Sequence, residues 1–153
     1  MLALNTFGKD KESIVSRGEL LEIGGAFRVP DVMLRSQTIM VEVGTTNKTH
    51  LKDYRNAITE ETSIFLKVHT SNYRIEGFHK EVNVAEISEL AHEHGLHVVM
   101  DIGSGALVDL RRWGLAYEPM VQEAVKNGAD IITFSGDKMV GGHKPASSSG
   151  ARI

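Results

Sequence analysis

Short β-branched and apolar runs alternate with helix-period segments along the whole chain, a pattern that restricts it to a sheet with helical crossovers. Glu12 to Ser16 reads as the first strand, and Pro30 at a first helical position opens a helix through Arg35. A β-branched strand follows from Thr38 to Val43. Thr49 is placed to cap a helix running to about Ile58. In the strand from Ser63 to Thr70, Ile64, Phe65, Leu66 and Val68 suit a sheet covered on both faces. Asn83 caps the next helix, where Ile87, Leu90, Ala91 and His94 share a face, and Gly95 closes it before the strand His97 to Ile102. Val121, Ala124 and Val125 form a last apolar stripe ending at Gly128, ahead of the strand Asp130 to Ser135. The spacing therefore predicts an α/β layer fold. Met1 to Phe7 reads as the final turns of a helix, and the stretch from Ala146 to Ile153 shows no sign of helix or strand.

At 153 residues and 41% apolar content the chain is long enough to bury the core of one domain. With no cysteine, disulfides, thiolate metal sites and cysteine nucleophiles are excluded, and the seven histidines lack a metal-ligand spacing, so no metal is expected. The apolar runs are too short to span a bilayer and the first residues do not resemble a signal peptide, which predicts a cytoplasmic protein without a membrane partner. A formal charge of -3 argues against strong electrostatic binding to DNA or RNA, so a basic surface for an RNA partner must come largely from elsewhere.

In open α/β sheets ligands bind beyond the carboxyl ends of the strands. Four predicted strands end in polar runs: Gly44-Thr45-Thr46-Asn47, His69-Thr70-Ser71-Asn72-Tyr73, Asp101-Ile102-Gly103-Ser104-Gly105 and Ser135-Gly136-Asp137-Lys138. Lys138, following an apolar strand and a glycine turn, is expected to point into a partly desolvated crevice that lowers its pKa. A lysine so placed forms a Schiff base with an aldehyde such as pyridoxal 5'-phosphate; the alternative is a solvated lysine in a turn. Asp101 either holds the pyridine nitrogen of that cofactor protonated or caps the Gly103-Ser104-Gly105 turn. His69 either stacks on or hydrogen-bonds to the cofactor, or is a satisfied buried polar group.

Those runs, with Ser16-Arg17-Gly18-Glu19 and Glu22-Ile23-Gly24-Gly25, resemble the bacterial selenocysteine synthases, the L-seryl-tRNA(Sec) selenium transferases. The resemblance extends from residue 1 to about 142. It implies part of the large domain of a fold-type-I, aspartate-aminotransferase-like, pyridoxal-phosphate-dependent transferase. The implied reaction converts L-seryl-tRNA(Sec) into selenocysteinyl-tRNA(Sec): loss of the serine hydroxyl leaves dehydroalanyl-tRNA, and selenophosphate supplies selenium to its β-carbon. By the same resemblance Thr45, Thr46, Tyr73 and Asp137 surround the reacting groups with Lys138, and Ser135 faces the cofactor phosphate. Arg17 is open to two assignments, a contact to a phosphate or selenophosphate and a surface ion pair with Glu19.

Full-length members of the family are expected to be homo-oligomers. They carry an amino-terminal tRNA-binding domain, a loop that cups the cofactor phosphate and a carboxyl-terminal small domain, for which this sequence has no counterpart. Missing that cup of helix-terminal donors would cost cofactor affinity. Two other readings remain: a related fold-type-I lyase acting on a small amino compound, and a truncated remnant that does not catalyse.

Residues 143 to 153 depart from the family pattern. After Gly141-Gly142 the family continues Pro-Gln-Ala-Gly-Ile-Ile-Val, whereas this chain reads His143-Lys144-Pro145-Ala146-Ser147-Ser148-Ser149. Back-translation with chosen codons recovers the family run when read one base earlier, which makes the tail the expected product of a frameshift. Sequencing the gene across codons 140 to 153 is expected to show that run in the shifted frame; DNA that does not encode it there rules the frameshift out.

Overall fold

The structure is a computed structural model that describes residues 1–23, 27–136, 138 and 146–150. Chain order is α1 (Leu2–Gly8), β1 (Glu12–Ser16), a 3-10 turn (Arg17–Glu19), β2 (Glu22–Ile23), β3 (Phe27–Arg28), α2 (Val29–Arg35), β4 (Ile39–Val43), α3 (Leu51–Ala57), β5 (Thr62–Val68), α4 (Val84–Glu93), β6 (His97–Ile102), a second 3-10 turn (Leu110–Trp113), α5 (Val121–Lys126), β7 (Ile131–Ser135) and β8 (Ala146–Gly150). The main sheet has six strands in the order β4-β1-β5-β6-β7-β8. All its ladders are parallel except that of β7 with β8. β2 and β3 form a small antiparallel hairpin of their own.

Local chemistry explains most element ends. Asn83 and Glu86 cap α4 reciprocally: the Asn83 side chain accepts from the Glu86 N–H at 2.9 Å, and Glu86 reaches back to the Asn83 backbone. Pro30 lies in the first turn of α2, where a missing N–H costs nothing. At α3 the structure corrects the expected cap. His50 is the capping residue and its N–H donates to Asp53 at 2.8 Å, while the Thr49 hydroxyl is 2.7 Å from that of Ser16. Burial decides this, because Thr49 is enclosed between two loops and its hydroxyl meets the nearest buried hydroxyl.

Period-2 alternation sorts the core into two layers. Ile64, Leu66 and Val68 of β5 face one side with Val15, Leu4 of α1, and Val29 and Met33 of α2. Phe65 faces the other with Ile14, Val98, Tyr54 of α3, Ile87 and Leu90 of α4, and Ala124 of α5. The α2 crossover thus covers one face and α3, α4 and α5 the other. β1 sends its chain to β4 on one side, and β5 sends its chain to β6 on the other. Their carboxyl ends therefore diverge, and a crevice opens between them.

The region expected to lack structure provides the second correction. Residues 146–150 form β8, paired antiparallel to β7 from Ser135↔Ala146 to Ile131↔Gly150. The cause is the edge of the sheet: β7 would otherwise present unpaired backbone donors and acceptors, and backbone pairing accepts a serine-rich partner.

Gly44 ends β4 at φ +71, and a Cβ there would meet the Lys48 carbonyl at 2.9 Å and collide with the Thr49 side chain. Gly95 has a similar φ of +68 but open space around it. Gly95→Ala is expected to lose only the backbone strain term, about 1–2 kcal/mol, and Gly44→Ala clearly more, as read from urea unfolding midpoints.

Candidate active site

Three adjacent strand ends hold one group of residues. Register pairs Val68 with Asp101 and Asp101 with Thr133, so the carboxyl ends of β5, β6 and β7 lie side by side. The backbone N–H of His69 donates to the Asp101 carbonyl at 2.9 Å, and the Thr133 hydroxyl donates to the Asp101 carboxylate at 2.5 Å. The Asp101 side chain is thus aimed by β7 rather than spent on capping the 103–105 turn. Lys138 donates from its Nζ to the Gly103 carbonyl at 2.7 Å, and Ser135 closes β7, half-buried. Lys138 is nevertheless exposed, contrary to the desolvated crevice expected from its position. Buried Gly136 takes the interior place after β7, and the lysine stem reaches along the rim to the β6 turn instead.

His69 is only half-buried as a residue, but its Nδ1 is sealed from solvent and has no hydrogen-bond partner among the described residues. Among those residues it is not the satisfied core histidine of the plainer alternative. Burial pulls its pKa below the ordinary value against the opposing pull of Glu118, Glu81 and Asp101, with Lys67 adding to the lowering.

A second group lines the crevice between β1 and β5. Its cavity of about 210 Å³ is bordered by Ser16, Glu19, Thr45, Thr46, Tyr73 and Glu81, among others. The Thr45 hydroxyl donates to the Lys48 carbonyl at 3.0 Å, and the Tyr73 hydroxyl donates to the Gly18 carbonyl. Burial, then the carboxylates of Glu19 and Glu81, push the Tyr73 phenol up. A broader cavity of about 420 Å³ runs from His69 to Arg74 and across to Tyr117 and Glu118. Tyr73 borders both cavities, whereas Asp101, Ser135 and Lys138 border neither. The structure therefore brings His69, Asp101 and Lys138 together in one group and Thr45, Thr46 and Tyr73 in another, with the His69–Tyr73 segment as the link. Asp137 lies outside the described residues.

Arg17 does not form the expected ion pair with Glu19. Its Nη2 is 2.9 Å from Glu42, with Nε at 3.3 Å, in an ion pair open to solvent. Glu19 is turned inward, where it meets Lys67 at 2.7 Å and receives the Val68 N–H at 2.8 Å; Glu81 is 3.3 Å from Lys67 on the solvent side. Burial works against the charge on Lys67, but the carboxylates of Glu19 and Glu81 outweigh it and hold its pKa above the ordinary value. Sequence reading passed over this cluster, although a lone lysine inside the apolar run of β5 was a visible signal that a buried partner must exist.

Five parallel strands with an antiparallel edge, two helical layers and polar groups at the carboxyl ends define the class: the large-domain core of the aspartate-aminotransferase-like fold. Solved structures share that fold. D-glucosaminate-6-phosphate ammonia-lyase superposes with a TM-score of 0.75 at 20% identity, over 93% of this chain and 34% of that one. An aspartate aminotransferase variant from Thermus thermophilus superposes at 0.65 and 17% identity, over 97% and 39%. The sequence profile described as SelA, L-seryl-tRNA selenium transferase, matches residues 1–150, and the chain belongs to that family. It is 60% identical over 142 residues to the L-seryl-tRNA(Sec) selenium transferase of Alkaliphilus oremlandii, and 61% identical over 142 residues to that of Rhizobium meliloti. The relative from Methylocella silvestris is 57% identical over 152 residues. The chain spans 30% of the length of the first two relatives and 32% of the third. Among the described residues no helix is long and apolar enough to cross a membrane.

The lowered pKa of His69 sets a pH dependence. The unfolded chain takes up a proton on this ring as pH falls through about 6.5, while the folded chain resists it. The unfolded state then binds more protons, so stability is full above that pH and drains as pH falls below it. His69→Gln is expected to flatten this part of the profile, measured as a smaller loss of melting temperature between about pH 7.5 and 5.5.

Proposed function

We propose that this chain carries the lysine-bearing part of a pyridoxal-phosphate site that serves the conversion of L-seryl-tRNA(Sec) to selenocysteinyl-tRNA(Sec), with selenophosphate as selenium donor. The observation that carries the reading is the group His69, Asp101 and Lys138 on adjacent strand ends, with the Asp101 carboxylate held in direction by the Thr133 hydroxyl. A carboxylate so aimed has the chemistry to hold the protonated pyridine nitrogen of the cofactor. The residues present fit that group: Lys138 would hold its carbonyl carbon, Asp101 its ring nitrogen, His69 its ring and Ser135 its phosphate. Family membership and 60% identity to named selenium transferases support the substrate assignment.

When bound, the cofactor supplies an electron sink for charge developing at the substrate α-carbon. The chain's own residues do the rest. Asp101, oriented by the Thr133 hydroxyl, would hold a proton at the ring nitrogen. Lys138, whose Nζ donates to the Gly103 carbonyl at the rim, would take the α-proton as a general base. Thr45, Thr46 and Tyr73 orient the seryl group and the selenium donor through their hydroxyls. Asp137 joins them by family resemblance, and Arg17 leaves Glu42 to meet an oxyanion. A homo-oligomeric, cytoplasmic whole protein completes the proposal. The tail beyond residue 142 is assigned to a frameshift: the matches to the Alkaliphilus and Rhizobium relatives extend over 142 residues, while that to the Methylocella relative extends over 152.

The exposure of Lys138 favours one competing reading, a chain that keeps the lysine but does not catalyse. Titration with pyridoxal phosphate separates the two. A visible absorption band that borohydride reduces onto the chain is expected, lost in Lys138→Ala. Asp101→Asn is expected to weaken binding about ten- to a hundredfold, the equivalent of one charged hydrogen bond. No Lys138-dependent band would assign the chain to the non-catalytic reading.

A further inference from the structure

Strand β1 leaves the sheet after Ser16, while β5 runs on to Val68; the last pair between them is Val15↔Leu66. Alternation sends the His69 N–H to the β6 side, onto the Asp101 carbonyl, so the Val68 N–H points to the side that β1 has vacated. Among the described residues no strand is there to receive it. Glu19 takes that place: one carboxylate oxygen accepts the Val68 N–H at 2.8 Å, and the other accepts from Lys67 Nζ at 2.7 Å. Both side chains are almost fully buried, at 5% and 8% exposure, while Glu81 meets Lys67 from the solvent side.

The turn anchored in this way carries the crevice wall. Gly18 packs so closely on the 44–49 loop that a Cβ there would lie 2.7 Å from the Thr46 carbonyl, and its own carbonyl receives the Tyr73 hydroxyl. A buried ion pair is a poor way to stabilise a fold, because desolvation offsets most of the attraction and apolar replacements are often neutral. What it supplies is a single geometry, since both oxygens of Glu19 are committed in fixed directions.

We propose that Glu19 and Lys67 are positioning residues that lock the Arg17–Glu19 turn onto the end of β5 and thereby set the placement of Tyr73 and Thr46 across the crevice. The inference rests on the proposed function only in taking Tyr73 and Thr46 as substrate-facing. The buried charges are thus spent on the shape of the site rather than on the core.

The double variant Glu19→Leu/Lys67→Met removes both buried charges together and leaves Glu81 free to be solvated. It is expected to melt cooperatively near the wild-type temperature. Hydrogen exchange followed by mass spectrometry is expected to quicken about tenfold in residues 16–20 and 68–74 and to stay unchanged in α4 and β6. Unchanged exchange in those two segments, a uniform rise across the sheet, or failure to fold would each overturn the proposal, the last two by assigning the pair to global stability. Glu19→Gln, which keeps the side-chain length, is the second variant. In it hydrogen exchange is expected to quicken in residues 16–20 and 68–74 and to stay unchanged in α4 and β6; unchanged exchange in those two segments or a uniform rise across the sheet would overturn the proposal. Neither readout involves the cofactor, so absence of a pyridoxal band in the wild-type chain overturns the functional reading and leaves this one standing.

Discussion

The rest of the structure depends on the register of the parallel ladder from β1 through β5 and β6 to β7. Side chains alternate with period 2 and both faces of the sheet are covered, so a one-residue slip would exchange every buried position on a strand for its opposite. In β5 such a slip would carry Lys67 away from Glu19 and put Phe65 against the α1 and α2 layer. The same ladder brings Val68, Asp101 and Thr133 into line, and with them the ends from which His69 and the 103–105 turn emerge. Core and site therefore share one constraint, and the polar groups at the rim are placed by apolar packing beneath them.

Electrostatics then divides the rim into regions of different character. On the β5–β6–β7 side a neutral-leaning His69 stands beside Asp101, whose hydrogen bond from Thr133 fixes its direction. On the β1–β5 side a buried ammonium lies between two carboxylates, and the resulting field, added to burial, keeps the Tyr73 phenol protonated. Tyr54, buried beneath the same cluster, is driven further in the same direction, by burial first and Glu19 second.

Much of the fold was legible because its signals are local. The Asn83 cap, the Pro30 start and the apolar runs of β5 and β6 act within a few residues of where they are read, and the structure reproduces them. Errors arose where a distant partner decided the outcome. Thr49 has the chemistry of a cap, but the Ser16 hydroxyl claims it. Arg17 and Glu19 are sequence neighbours, yet they part because Lys67 and Val68 come from a strand 48 and 49 residues further on. Nothing in a serine-rich stretch announces a strand, and β8 exists because β7 has an edge to pair.

By itself the sequence determined the α/β class, the order of the strands and helices from β1 to β7 apart from the β2–β3 hairpin, and the residue types at their ends, since periodicity, caps and turn residues act over one or two turns of chain. It also determined family membership, carried by runs of residues rather than by geometry. Tertiary structure alone decided which strand ends are neighbours, that Lys138 reaches outward to Gly103, that the Thr45–Thr46 loop and Tyr73 face a crevice apart from Asp101, and that Glu19 completes β5. The physical reason is common to all four: each depends on contacts between segments far apart in the chain, and those are settled only when the sheet closes and buried polar groups must find partners.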